Sequence, residues 1–104
     1  RSNNLEGNAR VCMASAVTGF LSQFQSDEPM GCYEDFEKGD DFVLWGNNMA
    51  EMHPVLFSRL LETKKRKPSA RIIDLCTRRT ATSDYADLVV LFQPGSDLAI
   101  ANGI

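Results

Sequence analysis

The sequence predicts an α/β fold, a Rossmann-like three-layer segment built on a parallel sheet. Residues 42–45, 71–75 and 88–92 are short apolar runs of strand length, rich in Val, Ile, Leu and aromatics. Residues 10–25 and 54–63 instead repeat apolar side chains at helical spacing. Strands that alternate with helices pair in parallel through right-handed crossovers.

In the first helix, Met13, Val17, Phe20, Leu21 and Phe24 share a face, and Asn8 is placed to cap it. Pro29 and Gly31 end that pattern and lead into an acidic connection. Asp27, Glu28, Glu34, Asp35, Glu37, Asp40 and Asp41 supply half of the 14 carboxylates. This run reads as a solvated connecting face; the functional alternative is a patch that docks a redox partner. The first strand closes on Gly46, and Gly46-Asn47-Asn48 opens a loop. Pro54 suits the first turn of the second helix, whose face carries Leu56, Phe57, Leu60 and Leu61. Lys64-Lys65-Arg66-Lys67 ends that helix with the sign its dipole favours and is expected to sit in water, with Pro68 as the stop.

Composition narrows the function. With 43% hydrophobic and 24% charged residues, the 104-residue chain reads as an ordinary soluble globular segment of about one domain. A net charge of −3 argues against nucleic acid as a partner, because phosphate neutralisation needs clustered cations. Three widely spaced cysteines, Cys12, Cys32 and Cys76, make neither a disulfide framework nor a zinc pattern. No segment approaches the roughly 18 apolar residues of a membrane span.

Each strand runs out into a polar segment: Gly46-Asn47-Asn48, then Cys76-Thr77-Arg78-Arg79-Thr80, then Gln93-Pro94-Gly95-Ser96-Asp97. In a parallel sheet these exits share one edge, where open α/β sheets bind nucleotide-like ligands. A single Gly46 is not the G-x-G-x-x-G fingerprint, so a nicotinamide site is disfavoured. The N–H groups of Asn47, Asn48 and the following turn can meet phosphate oxygens at a helix start, although an ordinary strand-to-helix loop explains them too. Thr77, Thr80 and the guanidinium forks of Arg78 and Arg79 suit phosphate or ribose. Adjacent arginines point in different directions, so one is expected to touch ligand and the other water. Cys76 reads as a small buried residue. Asp97 can accept two hydrogen bonds from the N1–H and exocyclic amine of guanine, a pattern adenine lacks; a helix cap by Ser96 or Asp97 is the competing reading.

Cys12 stands at the start of the first helix behind Asn8 and Arg10, where a thiolate is favoured and can bind a soft metal or act as a nucleophile. By residue type alone, a buried apolar cysteine is the commoner case. His53, the sole histidine, reads as a packed or capping residue before Pro54. No serine–histidine–acid pattern is present.

The words NARVCMASAV at 8–17, DEPMGCY at 27–33, VLWGNNMAEMHP at 43–54 and PGSDLAI at 94–100 resemble the catalytic subunits of periplasmic nitrate reductases. These are molybdenum enzymes of the dimethyl sulfoxide reductase family, and the resemblance spans residues 3–104. It implies that the chain is part of a molybdopterin-binding domain carrying molybdenum bis(molybdopterin guanine dinucleotide). By resemblance, Cys12, with Met13 beside it, is the protein ligand to molybdenum, completing a shell of pterin dithiolenes as suits a soft thiolate. Trp45, Gly46, Asn47, Asn48, Met49, Ala50, Glu51 and Met52 match the segment around the pyrophosphate and pterin end. Asn8 and the segment from Cys76 to Thr80 match further cofactor contacts, and Gly95, Ser96 and Asp97 match the guanosine end.

The resemblance further implies reduction of nitrate to nitrite, with electrons from a c-type cytochrome subunit through a 4Fe-4S cluster outside these residues, in the periplasm. Met13 in place of histidine departs from the related formate dehydrogenases, and cysteine in place of aspartate from the membrane-bound respiratory nitrate reductases. MAEMHP at 49–54 favours the periplasmic type over a cytoplasmic assimilatory nitrate reductase, which shares the Cys12–Met13 pair. A non-catalytic guanine-nucleotide-binding α/β module, with Cys12 structural, is the alternative of another class. The resembled subunits are several times longer, so residues 1–104 are expected to be an internal fragment, inactive alone and with apolar faces that a larger domain covers.

Overall fold

The computed structural model describes residues 2–104. It divides into two compact units, one reaching Cys32 and the other Tyr33–Ile104.

The first unit holds α1 (Asn8–Cys12) and α2 (Ala14–Phe24). The single helix expected from residue 10 is thus two, because Met13 takes a non-helical backbone at φ −147°, ψ 11°. Hydrogen bonding nevertheless bridges the break: the Met13 N–H reaches the Ala9 carbonyl at 3.1 Å, and its own carbonyl accepts from Val17 at 2.9 Å. Asn8 is not the cap; it is the first helical residue, and Gly7 holds the cap position without a side-chain bond. Gln25 closes α2 in the left-handed region at φ 56°. Phe20 and Phe24 stack one turn apart with ring centres at 6.0 Å, on the predicted apolar face. No residue of either helix is buried.

The second unit contains α3 (Asp35–Lys38), β1 (Asp41–Trp45), α4 (Met49–Met52), α5 (Pro54–Arg66), β2 (Arg71–Cys76), a 3-10 turn at Ser83–Tyr85, β3 (Leu88–Leu91) and α6 (Asp97–Gly103). All three predicted strands form, paired in parallel in the order β1-β2-β3. Register runs from Asp41↔Arg71 to Trp45↔Leu75, and from Ile73↔Leu88 to Cys76↔Leu91. The strand exits therefore share one edge, as the alternation of elements required.

Alternation of side chains puts Leu44 and Ile72 on one face, where they pack with Met49, Phe57 and Leu60. Leu60 and Ile72 are wholly buried, and each contributes roughly 1.5–3 kcal/mol through the apolar surface it removes from water. Phe57 also meets the Tyr85 ring edge-on at 5.5 Å. Val43 and Leu88, on the opposite face, are exposed.

The acidic connection is more structured than its composition suggested. Phe36 in α3 packs against the core, and Gly39 permits the turn into β1: a Cβ there would lie 2.9 Å from the Phe42 ring. Glu37 accepts from Arg59 of α5, Asp40 from Lys67 at 2.7 Å, and Asp41 from Arg71 in a two-pronged pair at 2.8 and 2.9 Å. The basic run likewise does more than end α5 in water. Lys64 pairs with Asp87, whose Oδ2 also accepts the Ile72 N–H at 2.8 Å, so the helix end is tied to the entries of β2 and β3.

Candidate ligand-binding edge of the sheet

Trp45 ends β1, and Gly46 turns the chain at φ +61°, a conformation costly for any residue with a Cβ. The Gly46 N–H bonds the Leu75 carbonyl at 2.7 Å, carrying the ladder one residue past the strand. Asn48 then holds the cap position of α4, but its side chain does not cap. Its Nδ2 donates to Glu51 Oε2 at 2.6 Å, while its Oδ1 accepts from the Thr82 hydroxyl at 3.1 Å. The same hydroxyl accepts the Ala50 N–H at 2.9 Å. One wholly buried threonine, just past the second exit at the start of the 3-10 turn, thereby fixes both the side chain and the backbone of the first.

The α4 donors expected to meet phosphate are thus largely taken up. Ala50 gives its N–H to Thr82, and Glu51 and Met52 give theirs to the Asn48 carbonyl at 3.3 and 3.0 Å. Met49 is buried in the core, so its side chain faces no ligand, whereas Met52 is exposed. What the first exit presents is the loop itself. Gly46, Asn47 and Asn48 line a cavity of about 110 Å³ together with Cys76, Thr77, Arg78 and Thr80. Two of the three predicted exits thus meet in one place. Arg78 lines the cavity and Arg79, also exposed, does not. Among the described residues no salt bridge includes either arginine.

Beneath the cavity lies a buried polar chain. The Ser83 hydroxyl donates to Asp74 Oδ2 at 2.6 Å and accepts the Thr80 N–H at 3.0 Å, fixing the end of the second exit. Burial pushes the Cys76 thiol up, and the hydrogen bond to Asp74 pushes it the same way, so Cys76 is a protonated wall of the cavity. Asp74, Thr82 and Ser83 were not among the predicted site residues. A carboxylate inside the otherwise apolar run of β2 was the available signal, since such a charge needs built partners.

At the third exit Gly95 turns at φ +86°, and Ser96 occupies the cap position of α6 without a side-chain cap bond. Asp97 Oδ1 accepts the indole N–H of Trp45 at 3.1 Å.

The remaining predicted residues belong to the first unit. Cys12 is the last residue of α1, one position ahead of the Met13 cap of α2, and its free thiol is exposed. Asn8 and Met13 are exposed as well. Arg10, read as a cation serving that thiol, pairs with Glu6 at 3.1 Å and lines a shallow depression with Ala14, Ser15 and Thr18. In the second unit His53 joins α4 to α5, its carbonyl accepting the Phe57 N–H at 2.9 Å, which is a capping position. Among the described residues no three or more His, Cys, Asp or Glu side chains converge to hold a metal, and no helix is long and apolar enough to cross a membrane.

A parallel sheet with polar exits gathered at its carboxyl edge, a glycine turn and, among the described residues, two arginines outside any salt bridge defines an α/β protein whose candidate ligand site is that edge. The sequence matches the molybdopterin oxidoreductase family over residues 1–104, and the chain belongs to that family. Membership implies an oxidoreductase that works with a molybdenum–pterin cofactor.

Proposed function

We propose that these residues form part of the molybdopterin-binding domain of a nitrate reductase of the periplasmic type. The observation that carries the substrate assignment is the pair of words NARVCMASAV and VLWGNNMAEMHP, in which Cys12 is followed by Met13. The cofactor in this reading is molybdenum bis(molybdopterin guanine dinucleotide). When bound, it supplies two-electron oxygen-atom transfer, by which nitrate, two electrons and two protons become nitrite and water.

The residues present fit that group. Cys12 offers one exposed sulfur, which suffices for a metal whose other sulfur ligands come from the pterins. Thr77, Arg78 and Thr80 face the cavity with donors for phosphate oxygens, and Gly46 lets the backbone approach closely. Asp97 holds a carboxylate for the guanine edge. Electrons enter through a 4Fe-4S cluster and a c-type cytochrome, neither of which these residues hold, and the address is the periplasm.

The test is nitrate reduction by the whole molybdenum-loaded catalytic subunit that carries these residues, with a reduced viologen as donor, alongside its Cys12→Ser variant and its molybdenum content. Wild-type turnover with nitrate, abolished in Cys12→Ser, is the expected result. Turnover that survives the substitution removes Cys12 from the metal, and a loaded wild type inert toward nitrate removes the substrate assignment.

A further inference from the structure

We propose that Trp45 is a positioning residue for base recognition: its indole N–H orients the Asp97 carboxylate that reads guanine. The inference rests on the proposed guanosine role of Asp97. Trp45 and Asp97 come from opposite sides of the sheet, the end of β1 and the segment after β3, with β2 between them. The contact is a 3.1 Å hydrogen bond from Nε1 to Oδ1.

A carboxylate on the first turn of a seven-residue exposed helix can rotate freely about χ2, and rotation destroys two-pronged recognition. Each carboxylate oxygen has two acceptor sites, so Oδ1 can hold the indole on one and a base donor on the other. Oδ2 remains for the second donor. Fixing the plane in this way aligns both oxygens for N1–H and the exocyclic amine of guanine. Adenine, with an acceptor at N1, gains nothing from the alignment. Trp45 thus acts on the choice of base rather than on phosphate affinity.

Trp45 is the only tryptophan of these 104 residues, so in this segment its indole gives a single N–H resonance and the only indole fluorescence. That resonance is recorded first in wild type and Asp97→Ala; binding of GDP and of ADP is then titrated in wild type, Trp45→Phe and Asp97→Asn. The expected result is an upfield, faster-exchanging indole resonance in Asp97→Ala, and a GDP-over-ADP preference that falls about tenfold in Trp45→Phe, as loss of one charge-assisted hydrogen bond requires. ADP affinity stays within twofold. A preference lost in Asp97→Asn but kept in Trp45→Phe overturns the positioning role and leaves Asp97 as the reader. A wild type that does not distinguish GDP from ADP overturns the guanosine role of Asp97 and this inference with it. An indole resonance indifferent to Asp97→Ala overturns the contact itself.

Discussion

The two edges of the sheet are built on opposite electrostatic plans. At the entry edge, Asp40, Asp41 and Asp87 are paired with Lys67, Arg71 and Lys64, cations that arrive from α5, from its end or from β2. At the exit edge, buried neutral and carboxylate groups, Thr82, Ser83 and Asp74, tie the loops together from below, while among the described residues Arg78 and Arg79 enter no salt bridge. One edge neutralises its charge within the chain; the other keeps positive charge available and hides its structural bonds. That asymmetry suits the anionic ligand proposed for the exit edge, since an internal carboxylate beside Arg78 would compete for the guanidinium.

The largest expected effect removes both edges together. Leu60→Ala empties the core between α5 and the sheet and should destabilise the protein by roughly 2–5 kcal/mol, read from denaturant midpoints, with entry and exit amides losing exchange protection in step. Thr82→Val should separate them. It leaves the Ala50 N–H and Asn48 Oδ1 without their partner and costs about 1–3 kcal/mol, whereas Thr82→Ser keeps the hydroxyl and most of the stability. Hydrogen exchange at Ala50 should quicken in Thr82→Val while Ile72, whose N–H is held by Asp87 at the other edge, stays protected. Equal loss at both amides would mean that the edges are one cooperative unit and that the contrast is only one of composition.

The sequence carries the two edges unequally. Strand positions, parallel pairing and the common exit edge follow from short apolar runs alternating with helical periodicity, a signal each segment contains in itself. The place of Thr77, Arg78 and Thr80 at the exit-edge cavity was legible for the same reason, because any residue just past a parallel strand lies at that edge. Thr82 was not. Its role depends on a turn that brings it back under Asn48, 34 positions earlier, and nothing local encodes that distance. The ion pairs at the entry edge were hidden likewise: the acids at 37–41 and the bases at 64–67 are each a plain charge run until α5 and the sheet set them side by side. Met13 illustrates the reverse failure, since it fits the apolar pattern of a continuous helix and yet breaks it in the backbone.

Exit-edge charge is tested next, with affinity as the readout. Arg78→Ala should leave stability within about 0.5 kcal/mol, as expected for an exposed side chain without an ion pair. It should weaken pyrophosphate or GDP binding about tenfold, the worth of one charge-assisted contact. Arg79→Ala, outside the cavity lining, should weaken binding less and mainly at low salt, through the general field. Equal losses in the two variants would mean that the cations act as a diffuse pair and that the cavity does not choose between them.

The smallest effect belongs to the entry edge and appears only in acid. The hydrogen bond and charge of Arg71 hold the Asp41 carboxyl below the usual carboxylate range, and Lys64, with the Ile72 N–H, does the same for Asp87. A carboxylate whose folded pKa is depressed binds fewer protons than it does unfolded. Its contribution is therefore fully present above the unfolded value, about 3.9 for Asp, and is lost as pH falls through the lower folded value. Melting temperature should hold from pH 7 to about 5 and then decline toward pH 3. Both side chains of the Asp41–Arg71 pair are largely exposed, so solvent screens it, and Arg71→Gln should make the decline only slightly shallower. Added salt should flatten the same curve. The exchange of the Ala50 amide, whose partner is a hydroxyl with no charge to lose, should follow the global stability and carry no acid step of its own. An acid step at Ala50 that outruns Ile72 would place the sensitive charge at the exit edge instead.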